Sequence, residues 1–162
     1  RDSRIAGLVV NPGQYDALLS IKKALPQVEE LLKENNHAVL DQVLTQILAD
    51  RMVARKFKHK MWVHGVDTAL DLLKTWTHYS LIGLSDNISC PTLILDCENE
   101  PFSKGQAKQL FDSLRGLKEY LLCQNTEGAG EHCGAGALTL TNQRIFDWIE
   151  KSLRCSTLTE TK

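Results

Sequence analysis

The sequence has no long hydrophobic run, no excess of either charge and no paired cysteines, and each absence removes a class of protein. No apolar stretch approaches the roughly 20 residues that cross a bilayer, and no basic, apolar, small-residue leader opens the chain. A soluble protein with no membrane partner is expected. Nineteen Lys and Arg stand against 20 Asp and Glu, for a formal charge of -1. No run of one sign would follow a phosphate backbone, so nucleic acid is not an expected partner. The five cysteines, Cys90, Cys97, Cys123, Cys133 and Cys155, are odd in number and form no C-x-x-C pair. That argues against a disulfide framework and a zinc knuckle, and for a reducing, cytoplasmic setting. No metal and no cofactor are expected. No Met precedes Arg1, so upstream sequence is expected to be missing.

What is present suffices for a core, since 43% of the 162 residues are hydrophobic. Ile5 to Val10 is a continuous apolar run closed by Asn11, Pro12 and Gly13, as a buried parallel strand ending in a loop reads. From about Tyr15 to Tyr79 apolar residues recur at helical spacing: Val28, Leu31 and Leu32; then Val39, Leu40, Val43, Leu44, Ile47 and Leu48; then Ala69, Leu72, Leu73 and Trp76. Pro26 suits a first helical turn. Thr92 to Leu95 and Lys118 to Cys123 read as strands. Between them Ser103 and Gln106 have capping-box spacing, before the stripe Ala107, Leu110, Phe111 and Leu114 that ends near Gly116. A last helix is expected from about Ala135 to Leu153, with a polar, frayed tail from Arg154.

This order predicts an α/β fold with a parallel sheet, flanking helices and right-handed crossovers. The expected division is a core strand over 1–14, a helical insertion over 15–85, the rest of the sheet unit over 86–154, and a tail over 155–162. Three strands make a thin sheet, and parallel sheets need cover on both faces.

Two loops follow the last two strands, where open α/β sheets place their sites. The first, Asp96-Cys97-Glu98-Asn99-Glu100-Pro101-Phe102, offers three carboxylates at one strand exit. The second, Glu127-Gly128-Ala129-Gly130-Glu131-His132-Cys133-Gly134-Ala135-Gly136, sets one histidine among glycines. A hydrolytic triad needs a base held by an acid from a neighbouring loop, which this pair of loops can supply. Taken alone, His132 reads first as a loop histidine satisfied by the backbone, and only the pairing of the two loops turns it toward a base. Cys97 and Cys133 read as packing cysteines rather than nucleophiles.

The run Cys90 to Gln106, with Gly128-Ala129-Gly130-Glu131-His132-Cys133 and Asp147-Trp148 downstream, resembles the end of a group of α/β-hydrolases. That group includes the bacterial dihydroxypseudooxynicotine hydrolase and fungal hydrolases that shorten polyketide chains in melanin pigment formation. Arg4-Ile5-Ala6, Asn11 to Asp16 and Trp62-Val63-His64-Gly65-Val66 extend the likeness. The resemblance implies that the chain is the C-terminal part of such a fold and that the helical insertion is a lid. It puts His132 on the general base and Glu100 on the acid, where the group commonly has Asp; Asp96 and Glu98 are the alternatives. Trp62 and His64 would line the substrate pocket, or else pack locally.

The nucleophile implied is a Ser in G-x-S-x-G. Gly83-Leu84-Ser85-Asp86-Asn87 lacks the last Gly and the strand-turn-helix setting, so the nucleophile is expected upstream of Arg1. The implied activity is hydrolysis of a carbon-carbon bond next to a ketone, or of an ester, in a polyketide-like or aromatic small-molecule substrate. The partner implied is the missing N-terminal half, and a homodimer is compatible. A second reading makes the chain a non-catalytic remnant acting as a binding module.

Overall fold

The computed structural model describes residues 2, 4–22, 25–34 and 36–159, the stretch 153–159 by its backbone alone. In chain order the elements are β1 (Leu8–Val10), α1 (Leu19–Lys22), α2 (Val28–Lys33), α3 (His37–Ile47), α4 (Arg51–His64), α5 (Ala69–Trp76), β2 (Thr92–Cys97), α6 (Gln106–Ser113), β3 (Lys118–Cys123) and α7 (Leu138–Thr159). They form two compact units, residues 1–15 with 81–162, and residues 16–80.

The first unit is an α/β arrangement around a parallel sheet of order β1-β2-β3. In a strand successive side chains point to opposite faces, and β2 shows what that does with an unbroken apolar run. Leu93, Leu95 and Cys97 bury on one face with Cys123, Ala129 and Trp148, the last from α7. Ile94 faces the other way, onto Ala107 and Leu110 of α6 and Leu114 beyond it. Both faces are covered, which is why β2 carries no alternation of polar residues.

Three boundaries differ from the sequence reading. The run that begins at Ile5 pairs only from Leu8, and Ile5 is exposed. The last helix starts at Leu138 rather than Ala135, because Gly134 and Gly136 hold positive φ values of 75 and 102 degrees in the segment before it. Residues 155–159 of the expected tail are helical, and 160–162 lie outside the described residues.

The capping box also does not form. The N-cap of α6 is Gly105, at φ 82 degrees. Gln106 instead accepts the Tyr15 N–H through its side-chain oxygen, at 2.9 Å. The Ser103 hydroxyl is buried and finds no hydrogen-bond partner among the described residues.

The second unit is helical and encloses its own core, in which Leu25, Val28, Leu40, Leu72 and Leu73 are almost completely buried. Each such side chain contributes roughly 1.5–3 kcal/mol. Pro26 stands just ahead of the Gln27 N-cap of α2. Asp50 caps α4 by accepting the N–H groups of Met52 and Val53, and Gly65 ends that helix in the left-handed conformation favoured at C-caps. Thr68 caps α5 by accepting the Asp71 N–H at 3.0 Å. Among the described residues no helix is long and apolar enough to cross a membrane.

Candidate active site

β2 and β3 run side by side with Cys97 opposite Cys123, so their exit loops leave from adjacent points of one sheet edge. Both thiols are buried and free. Burial pushes the Cys97 thiol up to about 11 and raises that of Cys123 as well. Neither is poised as a thiolate.

The three carboxylates of the first loop have separate fates. Asp96, still within β2, accepts the Cys97 N–H through one oxygen and the Tyr120 hydroxyl through the other. Burial and this carboxylate together push the Tyr120 hydroxyl above its ordinary value. Glu98 is exposed and accepts the Asn125 N–H. Glu100 turns inward, with only 1% of its side chain exposed.

Glu100 is held at both oxygens. Oε1 accepts the Phe102 N–H at 2.9 Å and the Ser103 N–H at 3.2 Å, while Oε2 lies 2.8 Å from His132 Nδ1. An ionised carboxylate only accepts, so Nδ1 carries the proton and donates it. Burial raises the Glu100 pKa. The hydrogen bonds from His132, Phe102 and Ser103, and the charge of His132, outweigh that and hold it below the usual carboxylate value. Glu100 is therefore a charged acceptor kept in an apolar setting by three donors.

His132 opens a short 3-10 turn over 132–134. Its ring meets the edge of Phe102 at 5.0 Å between centroids and 85 degrees. With 42% of the side chain exposed and Nδ1 committed to Glu100, Nε2 is the nitrogen that can exchange a proton with a ligand. Cys133 follows at φ 60 degrees, a left-handed backbone that costs a non-glycine residue roughly 1–2 kcal/mol. Its thiol donates to the Asn11 carbonyl at 3.6 Å, and the Asn11 amide donates back to the Cys133 carbonyl at 3.4 Å. Burial, and after it the Glu100 charge, raises the Cys133 thiol pKa, the opposite of an activated thiolate.

The loop of His132 is anchored on α7. Arg144 grips Glu127 through its two terminal guanidinium nitrogens, one to each carboxylate oxygen. A Cβ on Gly134 would overlap the Thr141 side chain, so only glycine permits this approach to the helix.

Cross-loop contacts were not anticipated from the sequence. The Asn99 N–H donates to the Gly130 carbonyl at 2.8 Å. The Asn99 side-chain amide donates to Asn125 Oδ1 at 2.8 Å and to Glu131 Oε1 at 2.9 Å. The available signal was an amide beside each partner of the pair, Asn99 next to Glu100 and Asn125 at the exit of β3. Phe102, against the imidazole, was also unassigned.

Trp62 is 78% exposed at the end of α4, with its ring 5.9 Å from that of His59. His64 Nε2 accepts the Trp76 indole N–H at 3.2 Å, and its ring meets Tyr79 edge-on. Both residues belong to the helical unit. Ser85 is buried in a short 3-10 turn and donates to the Ser113 carbonyl at 3.4 Å. Among the described residues no group of three His, Cys, Asp or Glu could hold a metal ion. Cys155 lies where only the backbone is described.

Comparison with known proteins identifies fungal relatives. Hydrolase LUC6 of a Fusarium species is 34% identical over 107 residues, 62% of this chain and 26% of that protein. The 20-hydroxy-prefusarin hydrolase FUS2 of Gibberella moniliformis is 30% identical over the same length and with the same coverage. Hydrolase acrC of Aspergillus aculeatus is 22% identical over 102 residues, 59% of this chain and 24% of that protein. The chain thus spans about a quarter of the length of these curated relatives. No family model and no solved structure matches. Over about three fifths of its length, the chain is similar to proteins that are named fungal hydrolases.

Proposed function

We propose that this chain carries the base and the acid of a serine-type α/β-hydrolase, His132 and Glu100, and that the serine nucleophile comes from the protein's sequence on the N-terminal side. The observation that carries this reading is the 2.8 Å contact between His132 Nδ1 and a Glu100 side chain that is 1% exposed. An imidazole fixed at Nδ1 by a buried carboxylate presents Nε2 as the base, in the one tautomer that can take a hydroxyl proton.

In this mechanism Nε2 takes the serine proton as the oxygen attacks the substrate carbonyl, and Glu100 stabilises the imidazolium that results. Collapse of the tetrahedral adduct breaks the bond to the leaving group, which takes the proton from Nε2. For an ester the leaving group is an alkoxide oxygen. For a carbon-carbon bond next to the attacked ketone it is a carbanion, which a second carbonyl on the departing fragment stabilises as an enolate. Water then releases the acyl group by the same proton route. One relative is named a 20-hydroxy-prefusarin hydrolase, and the resemblance to polyketide chain-shortening hydrolases supports a polyketide-like or aromatic ketone substrate.

The helical unit is the lid in this reading, and Trp62 and His64 are its substrate contacts. The exposure of Trp62 supports that role, whereas His64 is already engaged by Trp76. The direct test is steady-state hydrolysis by the full-length protein. His132→Ala is expected to lose on the order of a thousandfold or more in turnover. Near-normal turnover would reject the assignment.

A further inference from the structure

We infer that Asn99 is a positioning residue, a clasp that sets the distance between the acid and the base by joining the residues beside them. The inference rests on the proposed roles of Glu100 and His132. Asn99 directly precedes Glu100, and Glu131 directly precedes His132. The Asn99 backbone N–H donates to the Gly130 carbonyl, and its side-chain amide donates to Asn125 Oδ1 and Glu131 Oε1. Asn125 returns a bond to Asn99 Oδ1 at 3.3 Å, and its N–H donates to Glu98. Three successive residues of the acid loop, Glu98, Asn99 and Glu100, therefore each bind the segment that follows β3.

The chemistry of the clasp is that of an amide donor facing acceptors. Both hydrogens of the Asn99 NH2 group are used, one on an amide oxygen and one on a carboxylate. A Cβ on Gly130 would overlap Asn125 Oδ1, so glycine there lets the two loops close on each other. Asn99, Asn125 and Glu131 are exposed. Bonds shared with water add little to folding. What they add is alignment, and misplacing a reacting group by about 1 Å can cost about a hundredfold in rate.

The test uses N99D, which keeps the size of the side chain but turns a carboxylate toward Glu131, and the double variant N99D/E131Q, which exchanges donor and acceptor. In the full-length protein N99D is expected to lower kcat about 10- to 100-fold with KM little changed. In the 162-residue chain it is expected to weaken or remove the low-field Nδ1–H proton resonance of His132. The double variant is expected to restore both. N99A removes the clasp without adding charge, and is expected to show the same losses without rescue by E131Q.

A folded N99A or N99D with wild-type kcat overturns the inference, as does a loss that E131Q leaves unrepaired in N99D. Failure of the catalytic reading is a distinct result, in which His132→Ala itself turns over normally. The resonance then decides the clasp, with its loss in N99D supporting it and its survival overturning it.

Discussion

Replacing Glu100 by Gln changes one atom at the centre of the site. The side-chain carbonyl can still accept the Phe102 and Ser103 N–H groups that Oε1 accepts now, so the loop keeps its anchors. The new NH2 group falls opposite His132 Nδ1, where Oε2 stands at 2.8 Å. Two donors cannot share that contact, so the imidazole moves its proton to Nε2 and can no longer act as the base. A tautomer trap of this kind costs about ten-thousandfold in kcat, or about 5 kcal/mol of transition-state stabilisation. Stability should change by no more than about 1 kcal/mol, since one charge-assisted bond is lost and one buried charge is relieved. Glu100→Ala should instead leave the Phe102 and Ser103 N–H groups without this acceptor, and the buried Ser103 group alone should cost roughly 1–3 kcal/mol of stability. The assay is kcat for an aryl ester or ketone substrate with the full-length protein, beside a urea midpoint for each variant. A Glu100→Gln protein within tenfold of wild type would refute the tautomer argument.

Three further outcomes follow from the same geometry. Gly134→Ala meets both a positive φ and an overlap with Thr141, and urea denaturation should show a loss of at least about 2 kcal/mol; an unchanged midpoint would contradict the packing. The Glu100 pKa is lowered in the folded state, so its contribution to stability is complete above the unfolded value of about 4.3 and is lost as pH falls through the lower folded value. The stability difference between wild type and Glu100→Gln should therefore shift against wild type as pH falls from about 5 through the lower folded value, and a constant difference would oppose it. Trp62→Ala should leave folding intact, because the side chain is 78% exposed, and raise KM by about tenfold if the lid contacts substrate; an unchanged KM removes Trp62 from the site.

Much of the fold was legible because burial on both faces leaves a plain signature. Thr92 to Leu95 is apolar without alternation, and the structure encloses it between α6 and α7. The helical stripes were equally plain, and Leu40, Leu72 and Leu73 are fully buried. Local signals did less well where another residue had a stronger claim. Ser103 and Gln106 have the spacing of a capping box, yet Ser103 gives its N–H to Glu100, and Gly105 makes the helix start. Ile5 belongs to an apolar run but finds no strand partner, so apolarity alone placed the start of β1 too early. Among Asp96, Glu98 and Glu100 sequence could only rank. All three stand two residues apart at one strand exit, and it is the turn after Cys97, closed by the Glu100 N–H on the Cys97 carbonyl at 3.0 Å, that sends Glu100 inward and leaves Glu98 in solvent. The clasp of Asn99 was invisible because it depends on two loops meeting.

If His132 is a base held by Glu100 for a serine nucleophile, the rate at which a serine-directed phosphonate captures the full-length protein depends on it. A single serine adduct outside this chain is expected, with capture slowed at least about a thousandfold by His132→Ala. Equal capture rates for wild type and His132→Ala, or an adduct within these 162 residues, would contradict it.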